Sequence, residues 1–287
     1  MIFGWCSSQL KETAPLGAVF LFYRKILLLY KLINMQQIAL ITGATSGIGK
    51  ATAKLFAKNN FNLILCGRRT EKLKELEKDL SSYTKVHTLK FDIRYKEQVK
   101  EAFNKIPDYL KKIDVLINNA GNAHGLDSIQ DGNVDDWDAM IDGNVKGLLY
   151  VTKAIIPEMI QQNKGFIVNI GSIAGKEVYQ KGNVYCASKF AVDALNKGMR
   201  IDLNQYNIYN IRVSAIHPGL VETEFSDVRF KGDNERAKTV YQGYKALKLE
   251  DIADIIHFVV TRPYHVNIED LVVYTTAQAS ATILNKQ

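Results

Sequence analysis

At 287 residues, with only five prolines and no stretch rich in Gly, Ser or like charge, the chain is long enough for one large α/β domain and shows neither an interdomain linker nor an internal repeat. Its net charge of +7 comes from 37 Lys and Arg scattered among 30 Asp and Glu, which speaks against a nucleic-acid-binding module; a basic ligand pocket and a solvated surface account for it. The three cysteines (Cys6, Cys66, Cys186) and five histidines lie far apart, with no CxxC pair and no metal set, so they read as free thiols in a reducing cytoplasm and as ordinary histidines.

Residues 1–34 hold two apolar runs, 16–22 and 26–30, divided by Arg24 and Lys25. Neither run reaches the roughly 20 apolar residues of a bilayer-spanning helix, and two charges at its centre would oppose insertion. A signal peptide would place its charges before the apolar stretch and a small-residue cleavage site after it. Met35, followed by Gln36, Gln37 and the first strand, reads as the start of the folded domain, with residues 1–34 an appendage the fold does not need. The alternative is a membrane-surface helix, for which Arg24, Lys25 and Lys31 beside residues 27–29 are suited.

From residue 38 onward, short aliphatic runs alternate with longer segments of helical period, the pattern of a parallel sheet covered by helices. The expected strands are 38–42, 61–66, 86–91, 115–118, 166–170, 211–216 and 271–274; the expected helices are 48–58, 71–80, 96–104, 134–160, 184–205 and 251–261. In the helix 184–205, Ala187, Phe190, Ala191, Leu195 and Met199 form one stripe, which says only that this helix packs on something. Together these elements predict a single doubly wound α/β domain of about seven strands, binding ligands at the carboxyl ends of the strands.

The first strand runs into Thr42-Gly43-Ala44-Thr45-Ser46-Gly47-Ile48-Gly49 and then a helix, an arrangement that cradles a pyrophosphate between a glycine turn and helix amides. A nucleoside-triphosphate loop is out of register: five residues rather than four separate Gly43 from Gly49, and Ala51 rather than Ser or Thr follows Lys50. The second strand ends at Arg68-Arg69, where an acid would bind the ribose hydroxyls of NAD. Two guanidiniums there suit a 2′-phosphate, so NADP is favoured, with surface arginines as the alternative.

Tyr185 and Lys189 lie four residues apart on one face of a predicted helix, where an ammonium can stabilise a phenolate for acid-base work. Tyr241/Lys245 and Tyr244/Lys248 share the spacing, but only Tyr185 follows a serine at a strand end, Ser172, and precedes the Pro218-Gly219 turn. The other two read as surface pairs in a lid. Ser172 in Gly171-Ser172-Ile173-Ala174-Gly175 stands one place early for the nucleophile elbow of a hydrolase.

Taken together, these motifs resemble the short-chain dehydrogenase/reductase family over nearly all of residues 35–287. Thr42 to Gly49 matches its TGxxxGIG turn, Asn118-Asn119-Ala120-Gly121 its NNAG, Asp92-Ile93 its adenine-side acid, Asn144 its helix asparagine, and Ser172, Tyr185 and Lys189 its catalytic set. The resemblance implies a Rossmann-like fold in which Tyr185 is the general acid/base and Ser172 holds the substrate oxygen. It also implies that Lys189 binds the nicotinamide ribose and lowers the tyrosine pKa, and that Asn144 positions a relay water. Read from the residues alone, Asn144 can equally bend its helix and Ser172 form a turn. The cofactor surface it implies comprises Gly43, Thr45, Ser46, Gly47, Ile48 and Gly49, then Arg68, Arg69, Asp92 and Ile93, then Asn119, Ala120 and Gly121, and finally Tyr185, Lys189, Pro218, Gly219, Val221 and Thr223.

After Pro218-Gly219 comes a polar stretch expected to form a substrate lid at about 220–248. Its residues 221–226 and 228–232, with Gly182-Asn183-Val184-Tyr185, are similar to the NADP-dependent branch acting on small 3-hydroxy acids such as L-serine, L-allo-threonine and 3-hydroxypropionate, or in reverse on malonic semialdehyde. Arg229 or Lys231 is the candidate partner of the substrate carboxylate, against a solvated lid or a subunit contact. Rival expectations are a broad carbonyl reductase or a membrane-held lipid-alcohol dehydrogenase of the same family, and a non-enzymatic NADP-binding regulator. The resemblance further implies a homotetramer, with a tail (275–287) that reaches across a subunit interface; the scattered charges, cysteines and histidines argue for no nucleic-acid or metal partner, and the short apolar runs against membrane contact.

Overall fold

The computed structural model describes residues 36–286 apart from 206, 207, 209, 234 and 236–238, so both readings of residues 1–34 lie outside the described residues. Seven parallel strands form one sheet in the order β3-β2-β1-β4-β5-β6-β7. They are β1 (Ile38–Thr42), β2 (Asn62–Gly67), β3 (Val86–Lys90), β4 (Val115–Asn118), β5 (Gly165–Ile170), β6 (Ile211–Pro218) and β7 (Asp270–Val273). β1 is buried along its whole length because helices cover both faces of the sheet, which is why its sequence shows no polar alternation.

Alternate side chains sort the core into two layers. Ala39, Ile41, Leu63 and Leu65 pack with Phe56 of α1 (Gly47–Lys58), Leu76 of α2 (Thr70–Leu80) and Ile256 of α8 (Leu249–Val260). Leu40, Ile64, Leu116 and Ile167 pack with Val99 of α3 (Lys96–Asn104), Val151 and Met159 of α5 (Leu148–Gln162) and Leu203 of α6 (Asn183–Gln205). Strand order runs outward in opposite directions from β1 and β4, so the connections leaving their carboxyl ends go to opposite faces of the sheet and open a crevice.

Two expectations about helices are corrected. The single helix at 134–160 is α4 (Val134–Ile141), a π-helical stretch (Asp142–Gly147) and then α5. Gly143 and Gly147 weaken the α-helical preference there, and the Ile93 side chain packs so closely on Gly147 that a Cβ would lie 2.7 Å from it. In α6 the predicted apolar stripe is not the buried face: Ala187 and Phe190 are exposed, and Ala191, Leu195 and Met199 only half-buried. The buried face carries Tyr185, Ser188, Lys189, Val192 and Asn196.

Burial of those polar groups is made tolerable by a ladder of amides. Asn118 Nδ2 donates to Thr152 Oγ1 (2.9 Å) and Asn169 Oδ1 (3.0 Å), Asn169 Nδ2 donates to Asn196 Oδ1 (3.0 Å), and Asn196 Nδ2 donates to the Glu269 carbonyl (3.3 Å). These bonds tie β4, β5 and α6 to the approach to β7. At the end of the chain, Leu220 N–H donates to Gln278 Oε1 (3.0 Å), and Gln278 bridges Leu284. The described part of the tail therefore folds back onto the segment that follows β6. Among the described residues, no helix is long and apolar enough to cross a membrane.

Candidate active site

A cavity of about 520 Å³ runs along the carboxyl ends of the strands. Its floor is the glycine turn, with Gly43 at φ 65° and Gly47 at φ 55°, a region open to glycine at little cost. Thr42 Oγ1 accepts the backbone N–H groups of Asn119 and Ala120 (both 3.0 Å), and Asn119 Nδ2 donates to the Thr42 carbonyl (2.8 Å). The exits of β1 and β4 are thereby clamped together beneath the amino end of α1. That helix has no side-chain cap, so its first amides are available to an anion in the cavity.

Guanidiniums occupy one end. Arg69 donates from Nε (3.2 Å) and Nη2 (3.0 Å) to Thr45 Oγ1, from Nη2 to Ser46 Oγ (2.6 Å) and from Nη1 to Glu224 (3.3 Å), whose carboxylate also meets Lys72 at 3.4 Å. Arg68 stands 3.6 Å from Asp92, which Arg94 grips through three side-chain hydrogen bonds. Burial alone would raise the Asp92 carboxyl, yet bonds from Arg94 and the charges of Arg94 and Arg68 hold it below the usual carboxylate range.

At the other end stand Ser172, Tyr185 and Lys189. Ser172 leaves β5 in extended conformation, its hydroxyl accepting from Ala174 N–H (3.1 Å) and interacting with the Tyr185 phenol. Lys189 Nζ donates to the Ile170 carbonyl (2.9 Å) and lies 6.0 Å from the centre of the Tyr185 ring. Burial pulls this ammonium down to about 8 and pushes the phenol well above its ordinary value. In the free protein desolvation outweighs the charges around the ring. Ser172 and Arg229 pull toward the phenolate.

Arg229 arrives on α7 (Phe225–Arg229), in the segment after Pro218-Gly219. Its guanidinium sits 5.7 Å from the Tyr185 ring centre and 5.5 Å from that of Tyr179, donating to Tyr179 Oη (3.0 Å) and the Gly125 carbonyl (3.2 Å). The segment from 221 to 247 is pinned at its base where Val221 bridges Leu247.

Every predicted site residue lines the cavity except Gly49, Asn144 and Lys231. Gly49 packs instead on the turn, where a Cβ would come 2.6 Å from the Gly43 carbonyl. Asn144 lies within the π stretch, its amide committed to the backbone of Asn122 (2.8 Å each way) and to Ser188 Oγ (3.0 Å). Lys231 does not line the cavity, its ammonium pairing with Asp136 at 2.9 Å and mostly exposed, whereas Arg229 reaches the cavity beside Tyr185. Tyr241 is also more than a surface decoy, since it lines the cavity and shares a hydrogen bond with Ser226 (3.0 Å). Sequence reasoning missed Tyr179, Arg94, Lys72 and Glu224. Arg94 could have been found from its place two residues after Asp92, whereas the other three are brought in by packing.

Residues 37–234 match the family model for short chain dehydrogenase. The chain is 43% identical over 245 residues to the NADP-dependent 3-hydroxy acid dehydrogenase YdfG of Salmonella typhi, covering 85% of this chain and 97% of that protein. It is 42% identical over 246 residues to sulfoacetaldehyde reductase 2 of Chromohalobacter salexigens, covering 85% and 96%. Among solved structures, the closed form of serine dehydrogenase complexed with NADP+ aligns with a TM-score of 0.82 at 41% identity, covering 86% of this chain and 98% of that one. With its glycine turn, its amide-clamped strand ends and Ser172, Tyr185 and Lys189 on one wall, the chain belongs to the short-chain dehydrogenase family.

Proposed function

We propose that the protein is an NADP-dependent dehydrogenase of small 3-hydroxy acids. The observation that carries this reading is the cavity itself, with guanidiniums at one end and Arg229 stacked beside Tyr185 at the other. The uncapped amides of α1 fit a pyrophosphate, and Arg68, Arg69 and Lys72 fit a 2′-phosphate. When bound, NADP supplies or accepts the hydride. Tyr185 Oη exchanges the proton of the substrate oxygen, and the Ser172 hydroxyl holds that oxygen in place. Lys189 Nζ, anchored on the Ile170 carbonyl, grips the ribose side and favours the phenolate. Asn144, through Asn122 and Ser188, steadies the wall from which Tyr185 projects. Arg229 receives the substrate carboxylate, for which a planar fork of donors is suited.

A second substrate class is favoured by the same guanidinium: a sulfonate on a two-carbon aldehyde presents similar oxygens, and a relative of this chain is named for that reaction. The test is a spectrophotometric screen of NADP and NAD reduction with serine, allo-threonine and 3-hydroxypropionate, and of NADPH oxidation with malonic semialdehyde and sulfoacetaldehyde. It is repeated with Arg229→Ala, which raises KM for the acids about 10- to 100-fold and spares a neutral alcohol. Equal effects on acid and alcohol would remove Arg229 from this role.

We further propose that the enzyme works in the cytoplasm as a homotetramer, that residues 1–34 are dispensable, and that residues 220–248 act as the lid. The uncovered apolar stripe of α6 supports assembly, since Phe190 is 41% exposed.

A further inference from the structure

His217 is fully buried, unlike the other histidines, and its ring lies behind the active-site wall. It stands beside Pro218 on β6, packed so tightly on Gly171 that a Cβ there would fall 2.4 Å from Nδ1. Nδ1 is 3.1 Å from the Ser172 carbonyl oxygen. A carbonyl only accepts, so the ring carries its proton on Nδ1 and donates.

Beyond the ring lies a half-buried charge cluster. Nε2 faces Asp270 Oδ1 at 3.4 Å and Asp193 Oδ1 at 3.6 Å, and both Nε2 and Asp270 Oδ1 are buried without a hydrogen-bond partner. Lys176, from the turn after β5, bonds Asp193 (2.7 Å) and Asp270, and Lys197 bonds Asp193 from the outside (2.8 Å). The Lys176 ammonium bridges the two carboxylates, so Asp193, His217 and Asp270 do not form a vacant cation site. Lys197 sits at the exposed rim, so Lys176 is the ammonium that faces the ring side of the cluster. Burial holds the ring below its ordinary pKa. The Nδ1–H of the ring therefore goes to Ser172.

We propose that His217 is a positioning residue: its Nδ1–H pins the Ser172 carbonyl, and with it the backbone from which the Ser172 hydroxyl is aimed at the substrate oxygen. Gly171, immediately before Ser172, has no side chain to hold this segment, so the constraint comes from the neighbouring strand. The Gly175 N–H, also on the Ser172 carbonyl at 2.8 Å, fixes it from the far side. This inference rests on the role assigned to Ser172 above.

Two amide variants separate the halves of the ring. Asparagine can place an N–H where Nδ1 stands, and glutamine one where Nε2 stands. His217→Gln should lower kcat about tenfold, the worth of one hydrogen bond of about 1.4 kcal/mol, with KM for NADP unchanged. His217→Asn should retain kcat within about twofold of the parent, although both variants disturb the cluster and lower the melting temperature alike. Equal kcat values for the two variants, whether both reduced or both intact, overturn the proposal. Ser172→Ala is measured alongside: if it is impaired while the Asn and Gln variants match each other, the inference about His217 fails alone. If Ser172→Ala is as active as the parent, the reading of Ser172 fails and takes the inference with it.

Discussion

Tyr185 and Lys189 meet opposite demands. Each is withdrawn from water to define the site, and burial disfavours the charged form of both, raising the phenol and lowering the ammonium. Replacing Tyr185 with Phe leaves the ring and its contact with Phe225 in place but removes the transferable proton. We expect kcat to fall by about 10²- to 10⁴-fold with NADP affinity unchanged, the usual worth of general acid-base catalysis; a variant as fast as the parent would refute the assignment. Lys189 makes a prediction about stability. Its ammonium titrates at about 8 in the folded protein against an ordinary 10.5. Between these values the unfolded chain binds a proton that the folded chain has lost, so stability rises with pH through this window, the burial penalty being complete below it. Tyr185 acts in the opposite sense only above its ordinary value of 10.0. From pH 8 to pH 10 the parent should gain on the order of 2 kcal/mol over Lys189→Met in urea unfolding. Parallel curves for the two proteins would contradict it. The Tyr/Lys spacing was legible in the sequence, but the sign of the tyrosine shift was not, because desolvation depends on neighbours that no spacing reveals.

Elements show the same division. The strands were readable because a doubly covered parallel sheet demands unbroken aliphatic runs, and the observed limits differ from the expected ones by at most two residues, as where β6 continues through His217 and Pro218. α6 was misread because apolarity was taken as the sign of a packing face. Its inner face is polar, held there by Asn118, Asn169 and Asn196, each of which finds a partner only after the sheet has formed. Asn169→Leu strands the amides on either side of it and should destabilise the protein by about 2 to 4 kcal/mol in urea titration, at one to two kcal/mol per orphaned group. Because Asn169 does not line the cavity, kcat per folded molecule should stay within about twofold of the parent. A neutral effect on stability would show the ladder to be incidental. The π stretch escaped notice because helical periodicity runs through Asp142–Gly147 almost undisturbed, whereas the Ile93 side chain that packs on Gly147 lies far off in the chain.

For the molecule as a whole, two predictions concern what the described fold leaves uncovered or outside it. Phe190→Asp places a charge in the exposed stripe of α6; light scattering should then report smaller particles with an unchanged circular-dichroism spectrum, and an unaltered mass would argue against assembly through this face. A chain begun at Met35 should retain the parent's specific activity in solution, and its loss would show that residues 1–34 contribute to the fold. The sequence by itself determined the layered α/β architecture and the glycine turn after β1, because each depends on local backbone geometry, and it put Tyr185 and Lys189 one helical turn apart; Ser172 meets Tyr185 only through the fold. Only the tertiary structure decided which cation reaches the site, which face of α6 is buried and what stands behind Ser172. Arg229 meets Tyr179 and Tyr185, Lys231 meets Asp136, and His217 meets Ser172 across long separations in the chain, and such contacts are chosen by packing rather than by any periodicity.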